Sequence, residues 1–172
     1  MTEDGRREIK LRAMEPEDLD VLYKIENDEK LWGVGVTNVP YSRYTLHNYI
    51  ASTVGDIYVD KQVRLIIENK EGCVVGVIDL TDFDPRHSRA ELGIVVQCQY
   101  RNMGYATAAI CNVIKYARDI LHLHQLYIYV DTENRDSLRI FKKIGFQCTT
   151  ELKDWLCIGK NYRNALLMQY FL

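Results

Sequence analysis

The sequence predicts a mixed α/β domain, and the order of its elements is the main reason. Apolar runs and alternating patterns predict seven strands at residues 9–12, 63–68, 73–80, 90–96, 125–130, 155–158 and 165–168. Two helices follow the first strand, and one more follows each of the fourth and fifth strands. This order predicts a mostly antiparallel, mixed sheet of about seven strands with helices on both faces.

The predicted helices begin and end at residues suited to those positions. Pro16 fits a first helical turn, and Ser42 and Asn134 can cap the starts of two later helices. The apolar positions between residues 106 and 121 recur at i, i+3 and i+4, which indicates a helix facing the core. Gly145 can end the last helix in left-handed geometry, with Phe146 folding back onto the final turn.

Length and composition favour one domain over residues 1–172. The chain has 172 residues, 47% of them hydrophobic, which is enough for one sizeable core. With a net charge of -2, nothing suggests a nucleic-acid binder, which would usually show a strongly basic face. There is no apolar run that could cross a bilayer, and the N-terminus lacks a signal-peptide core. We therefore expect a cytoplasmic protein without membrane or nucleic-acid partners.

The cysteines and histidines do not predict a metal site. The five cysteines are odd in number and contain no C-x-x-C pair. His122 and His124 are two residues apart, with no third ligand beside them. We expect reduced thiols and no bound metal.

The stretch from Gln99 to Ala106 carries the strongest functional signal. A buried strand at 90–96 is followed by a tight basic turn, and the turn opens into a helix. A helix start has unpaired backbone N–H groups and a partly positive dipole end, so it binds phosphate well. Gly104 allows a ligand close to the backbone, and Arg101 adds positive charge. The turn is therefore predicted to hold a pyrophosphate.

The turn and the segment after the fifth strand resemble the GNAT superfamily of acetyl-CoA-dependent N-acyltransferases. Residues 101–106, Arg-Asn-Met-Gly-Tyr-Ala, fit its Q/R-x-x-G-x-G/A signature, and Asn134-x-x-Ser137 with the block 141–146 follows at the family's spacing. The element order agrees over nearly the whole chain. Residues 89–94, 131–137 and 162–165 are most similar to the branch of bacterial spermidine/spermine and ribosomal-protein N-terminal acetyltransferases.

The resemblance implies acetyl-CoA as co-substrate. Two adjacent parallel strands in the middle of the sheet would splay apart, and the pantetheine arm would lie in the gap. Backbone N–H groups of residues 103–107 would hold the pyrophosphate, and the backbone of residues 94 and 96 would pair with the arm. The implied coenzyme A residues are Ile94, Val95, Val96, Arg101, Asn102, Met103, Gly104, Tyr105, Ala106, Thr107, Asn134, Ser137 and Phe141.

Phe141 departs from the family pattern, because many members have a tyrosine there that is thought to protonate the leaving thiolate. Loss of a general acid costs roughly 10²–10⁴ in rate. Three alternatives remain open. The enzyme works without a side-chain acid, or another tyrosine such as Tyr105 or Tyr129 reaches the sulfur, or the chain binds acyl-CoA without turning it over.

Acetyl transfer to an amine also needs a base, because an aliphatic ammonium has a pKa of about 10. Glu91 is the first candidate and Asp79, on the neighbouring strand, is the second. The alternative for Glu91 is an ion pair with Arg89 or Arg64. The backbone N–H of residue 96 or 94 would stabilise the oxyanion.

Acidic and aromatic side chains suit a cationic acceptor. The candidates are Trp32, Tyr41, Asp82, Asp84 and Trp155, although aspartates in residues 81–85 also suit a simple turn. We expect acetyl transfer to a primary amine, a polyamine or other small amine, by direct attack in a ternary complex. The alternatives are acetylation of protein N-termini and a non-catalytic acyl-CoA-binding module. Family members suggest a homodimer or larger homo-oligomer.

Overall fold

The computed structural model describes residues 7–29, 31–32, 39–53 and 55–172. Its strands form one mixed seven-stranded sheet. They are β1 Ile9–Ala13, β2 Val63–Asn69, β3 Val74–Asp84, β4 Arg89–Val96, β5 Gln125–Asp131, β6 Gln147–Ile158 and β7 Asn161–Phe171. The helices are α1 Leu19–Glu26, α2 Arg43–Ser52, α3 Ile57–Asp60, α4 Tyr105–Asp119 and α5 Arg135–Ile144. The predicted fold class is confirmed.

The described residues divide into two compact units. The first unit contains residues from 7–15, 52–126 and 171–172, and its strands neighbour one another in the order β1, β2, β3, β4. All three pairings are antiparallel, with Leu65 opposite Ile78 and Ile78 opposite Ile94. Helix α4 packs against β1, β3 and β4. The core of this unit includes the fully buried residues Ile66, Ile67, Val75, Leu92, Ala109 and Ile110.

The second unit contains residues 16–51 and 127–170, with β7 between β5 and β6. Its buried residues include Leu22, Phe141, Phe146, Ala165 and Met168. The Asn134 side chain accepts a hydrogen bond from the Ser137 N–H at 3.1 Å and so caps α5. Gly145 ends α5 at φ 116°, and the Phe146 N–H returns to the Phe141 carbonyl at 3.0 Å. Both ends of α5 are therefore as predicted.

Three elements differ from the sequence prediction. Helix α3 was not predicted; the Asp56 carboxylate caps it by accepting from the Tyr58 N–H at 2.8 Å. Strand β3 continues to Asp84, through residues predicted as a loop, because a register shift between Thr81 and Asp84 lets it remain paired with β4. Strand β6 begins at Gln147 and is mostly exposed, so backbone pairing with β7 defines it better than an apolar pattern.

Other predictions are only partly covered by the structure. The Gly- and Val-rich sequence from Trp32 to Pro40 predicts a loop, and residues 33–38 of it lie outside the described residues. Over the part of the chain that is described, there is no helix with the length and apolar character of a membrane span.

Candidate active site

The end of β4 presents the backbone of Ile94 and Val96 away from β3. The Gln97 N–H donates to the Val75 carbonyl at 2.9 Å, which makes this a hydrogen-bonded pair. Hydrogen-bonded and non-hydrogen-bonded pairs alternate along an antiparallel ladder. Val96 opposite Gly76 and Ile94 opposite Ile78 are therefore non-hydrogen-bonded pairs. Their N–H and C=O groups point to the other side of the strand, as pairing with an extended ligand would require.

The turn after β4 is held by two left-handed backbone positions. A 3₁₀ turn at Cys98–Tyr100 is followed by Asn102 at φ 60° and Gly104 at φ 86°. Helix α4 then begins at Tyr105, and its first intrahelical bond runs from the Ala108 N–H to the Gly104 carbonyl at 3.1 Å. No side chain of the described residues caps the helix start, and its first turn contains no acidic residue. The backbone N–H groups of residues 105–107 precede that first bond, which is the arrangement that binds anions.

Among the described residues, two arginines contact this turn or belong to it, and only one of them, Arg101, was predicted. Arg101 donates from Nε to the Val96 carbonyl at 3.0 Å, so it lies back along the end of β4. Arg7 donates from Nε to the Met103 carbonyl at 3.0 Å, and its guanidinium carbon lies 5.6 Å from the centre of the Tyr105 ring. No local pattern could have identified Arg7, because 96 residues separate it from its partner.

Asp79 and Glu91 lie on the same face of the β3–β4 ladder. The register places Asp79 opposite Gly93 and Thr81 opposite Glu91. Directly opposed side chains and those two residues apart share a face of a sheet. Gly93 has no side chain, and a Cβ there would come within 3.7 Å of the Asp79 Cβ. The space over Asp79 is therefore open toward β4.

Asp79 is committed to an ion pair within the first unit. Arg64 lies opposite it on β2 and donates from Nε at 2.8 Å and from Nη2 at 2.9 Å. The Arg64 and Asp79 side chains are 22% and 17% exposed. Both oxygens of the Asp79 carboxylate are therefore occupied by one guanidinium, which is the strong, geometrically specific form of such a pair.

Glu91 has the opposite environment. It is half-buried, and neither arginine considered as its partner pairs with it: Arg64 binds Asp79, and Arg89 lies 3.4 Å from Asp84. No hydrogen bond or ion pair joins Glu91 to another residue within the described ranges. Burial, and second the negative charge of Asp82, raise the pKa of Glu91 above its ordinary value. A carboxylate whose pKa is raised toward neutrality is better suited to general-base work.

The two aspartates predicted to bind the acceptor differ in their surroundings. Asp82 is exposed and adopts φ 49° where β3 loses its register with β4. Asp84 accepts from the His87 N–H at 3.0 Å, and this backbone hydrogen bond is the main reason that the pKa of Asp84 is lowered. Asp84 therefore has the contacts of a turn residue.

The remaining acceptor candidates belong to the second unit. Trp32 donates from Nε1 to the Glu26 carbonyl at 2.9 Å. The Tyr41 backbone is held by the Asn27 side chain, through bonds of 2.8 Å and 3.1 Å. Trp155 is 54% exposed, and its ring centre lies 5.6 Å from that of Tyr129. Trp155 thus presents an aromatic surface to solvent.

The segment around α5 carries the other predicted coenzyme A residues. Asp131, 6% exposed, lies 3.1 Å from Arg163 and accepts from the Glu133 N–H at 2.9 Å. These contacts fix the backbone immediately before Asn134. The Phe141 side chain is 1% exposed, with its ring centre 5.0 Å from that of Phe146.

The described residues contain no group of three or more histidines, cysteines, aspartates or glutamates that could hold a metal ion.

Comparison with known proteins assigns the family. The protein-family model described as an acetyltransferase (GNAT) domain matches residues 8–147 of this chain. The chain belongs to the GNAT acetyltransferase family. It is therefore an acetyl-CoA-dependent N-acetyltransferase by class, as the sequence resemblance implied.

Several relatives of this GNAT chain are spermidine N-acetyltransferases. Spermidine N(1)-acetyltransferase of Escherichia coli (strain K12) is 29% identical over 167 residues, covering 95% of this chain and 86% of that protein. The crystal structure of spermidine N-acetyltransferase from Vibrio cholerae in complex with CoA and spermine has a TM-score of 0.86 at 23% identity and covers 95% of each chain. A dodecameric structure of that enzyme has a TM-score of 0.79 at 23% identity and covers 95% of this chain and 93% of that one.

Proposed function

We propose that this GNAT chain transfers the acetyl group of acetyl-CoA to a primary amine of a polyamine, by direct attack in a ternary complex. The observation that carries the proposal is the uncapped start of α4, preceded by left-handed Asn102 and Gly104, in a chain of this family. The similarity to a spermidine N(1)-acetyltransferase over 95% of the chain favours a polyamine as the acceptor.

The first unit would bind the donor chiefly through its backbone. The N–H groups of residues 103–107 would hold the pyrophosphate, and Arg101 would add positive charge. The groups of Ile94 and Val96 that point away from β3 would pair with the pantetheine arm, as an added strand pairs with a sheet edge. The donor residues proposed here are Ile94, Val95, Val96, Arg101, Asn102, Met103, Gly104, Tyr105, Ala106 and Thr107.

In the second unit, we assign Asn134, Ser137 and Phe141 to the same ligand. The Asn134 amide oxygen already caps the Ser137 N–H. Its contribution to coenzyme A would therefore come from the side-chain NH₂, which donates two hydrogen bonds. The Phe141 ring would pack beside the sulfur.

Glu91 is our proposed general base, with Asp79 in second place. The Glu91 carboxylate takes a proton from the acceptor ammonium, and the neutral amine attacks the thioester carbonyl. The N–H of Val96 or Ile94 stabilises the oxyanion. When the C–S bond breaks, the thiolate of coenzyme A leaves with the electron pair and takes up the second proton, which the attacking nitrogen loses as the amide forms. A thiol with a reference pKa of about 8.5 is a tolerable leaving group without a side-chain acid.

We propose Trp32, Tyr41, Asp82, Asp84 and Trp155 as acceptor residues. Asp82 is the strongest of the five, because it is exposed and its charge acts on Glu91. Exposed Trp155 offers a ring face for cation–π contact with an ammonium. Asp84 is the weakest, since its oxygens already bind the His87 N–H and approach Arg89.

The test is a free-thiol assay with the purified protein and acetyl-CoA. Spermidine, spermine, other small amines, amino acids and N-terminal peptides serve as acceptors. We expect thiol release with a polyamine well above the background hydrolysis rate. Thiol release with the peptides alone would support protein N-termini as acceptors. If none of the acceptors gave thiol release above background, the enzymatic function would be contradicted.

A second candidate, a non-catalytic acyl-CoA-binding module, is favoured by Phe141. No proton can come from this ring. Tight CoA binding by calorimetry, without turnover in the thiol assay, would support this candidate. A Phe141→Tyr variant that gained a large activity would show that the missing acid had blocked the reaction. An unchanged rate in an active wild-type enzyme would show that no acid is needed there.

We also propose a single acetyltransferase domain that assembles as a homo-oligomer. The dodecameric structure of the V. cholerae relative supports this. Light scattering coupled to gel filtration would measure the mass in solution, and a monomer at micromolar concentration would contradict it.

A further inference from the structure

Arg7 contacts three successive residues of the donor turn, by which we mean residues 97–107, the turn after β4 and the start of α4. Its Nε donates to the Met103 carbonyl at 3.0 Å. Its Cγ lies 3.5 Å from the point where a Cβ on Gly104 would stand. Its guanidinium carbon lies 5.6 Å from the centre of the Tyr105 ring. These contacts hold a side chain from before β1 directly against the backbone that would bind phosphate.

Among the described residues, the charged side chains at this position are cations. The N-terminal end of a helix carries a partial positive charge, and a cation there is unfavourable. Helix α4 has no acidic residue in its first turn, yet Arg7 lies against it, and a second cation, Arg101, precedes Gly104 in the same turn. Neither arginine forms an ion pair with a carboxylate in the described part of the chain. A bound anion would remove this repulsion and gain from both cations.

The Arg7 guanidinium has donors beyond the one used on Met103. Arginine carries five N–H donors in a planar fork that matches two phosphate oxygens, and lysine offers only a point charge. With Nε bound to the turn, the two terminal nitrogens remain next to the α4 start. Charge-assisted bonds from such a group to phosphate are about twice as strong as neutral ones.

We infer that Arg7 is a positioning residue of the donor site. Its Nε fixes the Met103 carbonyl and so the left-handed turn at Gly104, and its terminal nitrogens bind a phosphate of coenzyme A. This rests on the proposed use of acetyl-CoA. It predicts that Arg7 sets the affinity for the phosphorylated part of the donor and has little influence on the rate of acetyl transfer.

The experiment compares Arg7→Gln and Arg7→Lys with wild type. Lys115→Gln is the matched control, because Lys115 is an exposed cation on the same helix, about 15 Å along the axis from Tyr105. Calorimetry gives Kd for CoA at two salt concentrations. Kinetics give kcat and KM with acetyl-CoA and with acetyl-pantetheine, which has no phosphates.

We expect Arg7→Gln to raise Kd for CoA and KM for acetyl-CoA about tenfold, with kcat changed less than twofold. Its kcat/KM with acetyl-pantetheine should equal that of wild type, and the salt dependence of CoA binding should become weaker. Arg7→Lys should lie between the two, and Lys115→Gln should behave as wild type.

Two results would overturn the role of Arg7. One is a Kd for CoA in Arg7→Gln equal to that of wild type. The other is an equal loss with both donors, which would indicate a purely structural contact. If wild type itself did not bind CoA, the proposed function would fail together with the role of Arg7. Binding without turnover would leave the Kd comparison intact.

Discussion

Two regions of the first unit are built in different ways. One is the donor turn, and the other is the carboxylate face, the face of the sheet on which Asp79 and Glu91 lie. The donor turn is a single continuous segment, from Gln97 to Thr107, and its shape follows from two left-handed residues, Asn102 and Gly104. The carboxylate face is assembled from β2, β3 and β4, whose register decides that Arg64 meets Asp79. Backbone geometry thus defines the first region, and side-chain pairing across strands defines the second.

This difference places the two carboxylates in different environments. Asp79 has a bidentate cation, and Glu91 has only burial and a neighbouring negative charge. The same difference predicts that changes on the carboxylate face alter rate and stability, and that changes in the turn alter donor affinity.

The largest expected effect is on the rate. Glu91→Gln removes the proposed base, and loss of a general base lowers kcat about 10²-fold or more. As the pH is lowered, wild-type activity should be lost at a higher pH than it would be with an ordinary glutamate as the base, because the pKa of Glu91 is raised. The pH profile of kcat in both proteins checks this, with CoA affinity unchanged as the control. A kcat within threefold of wild type across the profile would refute Glu91 as base.

Asp79→Asn tests the structural side of the comparison. The substitution removes the Asp79 charge from a partly buried bidentate ion pair with Arg64, so we expect a loss of about 1–3 kcal/mol in the free energy of unfolding. Asp136→Asn is the matched control, because its pair with Arg139 is 3.9 Å long and both side chains are more than three-quarters exposed. Denaturant melts of the three proteins measure the effect. Equal stability of both variants would contradict it.

Gly104→Ala should separate donor affinity from backbone strain. A left-handed alanine costs about 1–2 kcal/mol of stability, and a Cβ here would stand within the proposed phosphate cradle. Gly72→Ala is the control, since its φ of 78° is similar and a Cβ there meets nothing within 4 Å. Both variants should lose similar stability, and only Gly104→Ala should lose about tenfold or more in CoA affinity. Equal CoA affinities would place the phosphates elsewhere.

The smallest effect concerns the stability of Glu91→Gln at different pH. The folded state holds the Glu91 proton more tightly than the unfolded state, so wild-type stability falls as pH rises through the raised pKa. Below the ordinary pKa of glutamate, wild type and Glu91→Gln should be equally stable. Above the raised pKa, the variant should be the more stable of the two. Melting temperatures across this range measure the difference, and a difference that is independent of pH would contradict it.

The sequence predicted well what is encoded locally. Gly104, Asn134 and Gly145 each require a particular backbone conformation or cap, and each has it. The sequence predicted less well which side chains form ion pairs across neighbouring strands. Arg64 and Arg89 were both plausible partners for Glu91, and only the register shows that they bind Asp79 and Asp84. Arg7 had no local signal, since its contact with the turn depends on the position of β1 beside the other strands.

The central claim is that the backbone of the turn binds the donor, and amide hydrogen exchange tests it most directly. Exchange is measured residue by residue with and without saturating CoA. The N–H groups of residues 103–107 should become protected on addition of CoA, and the turn around Gly72 should not change. Full binding of CoA without added protection at residues 103–107 would contradict the claim.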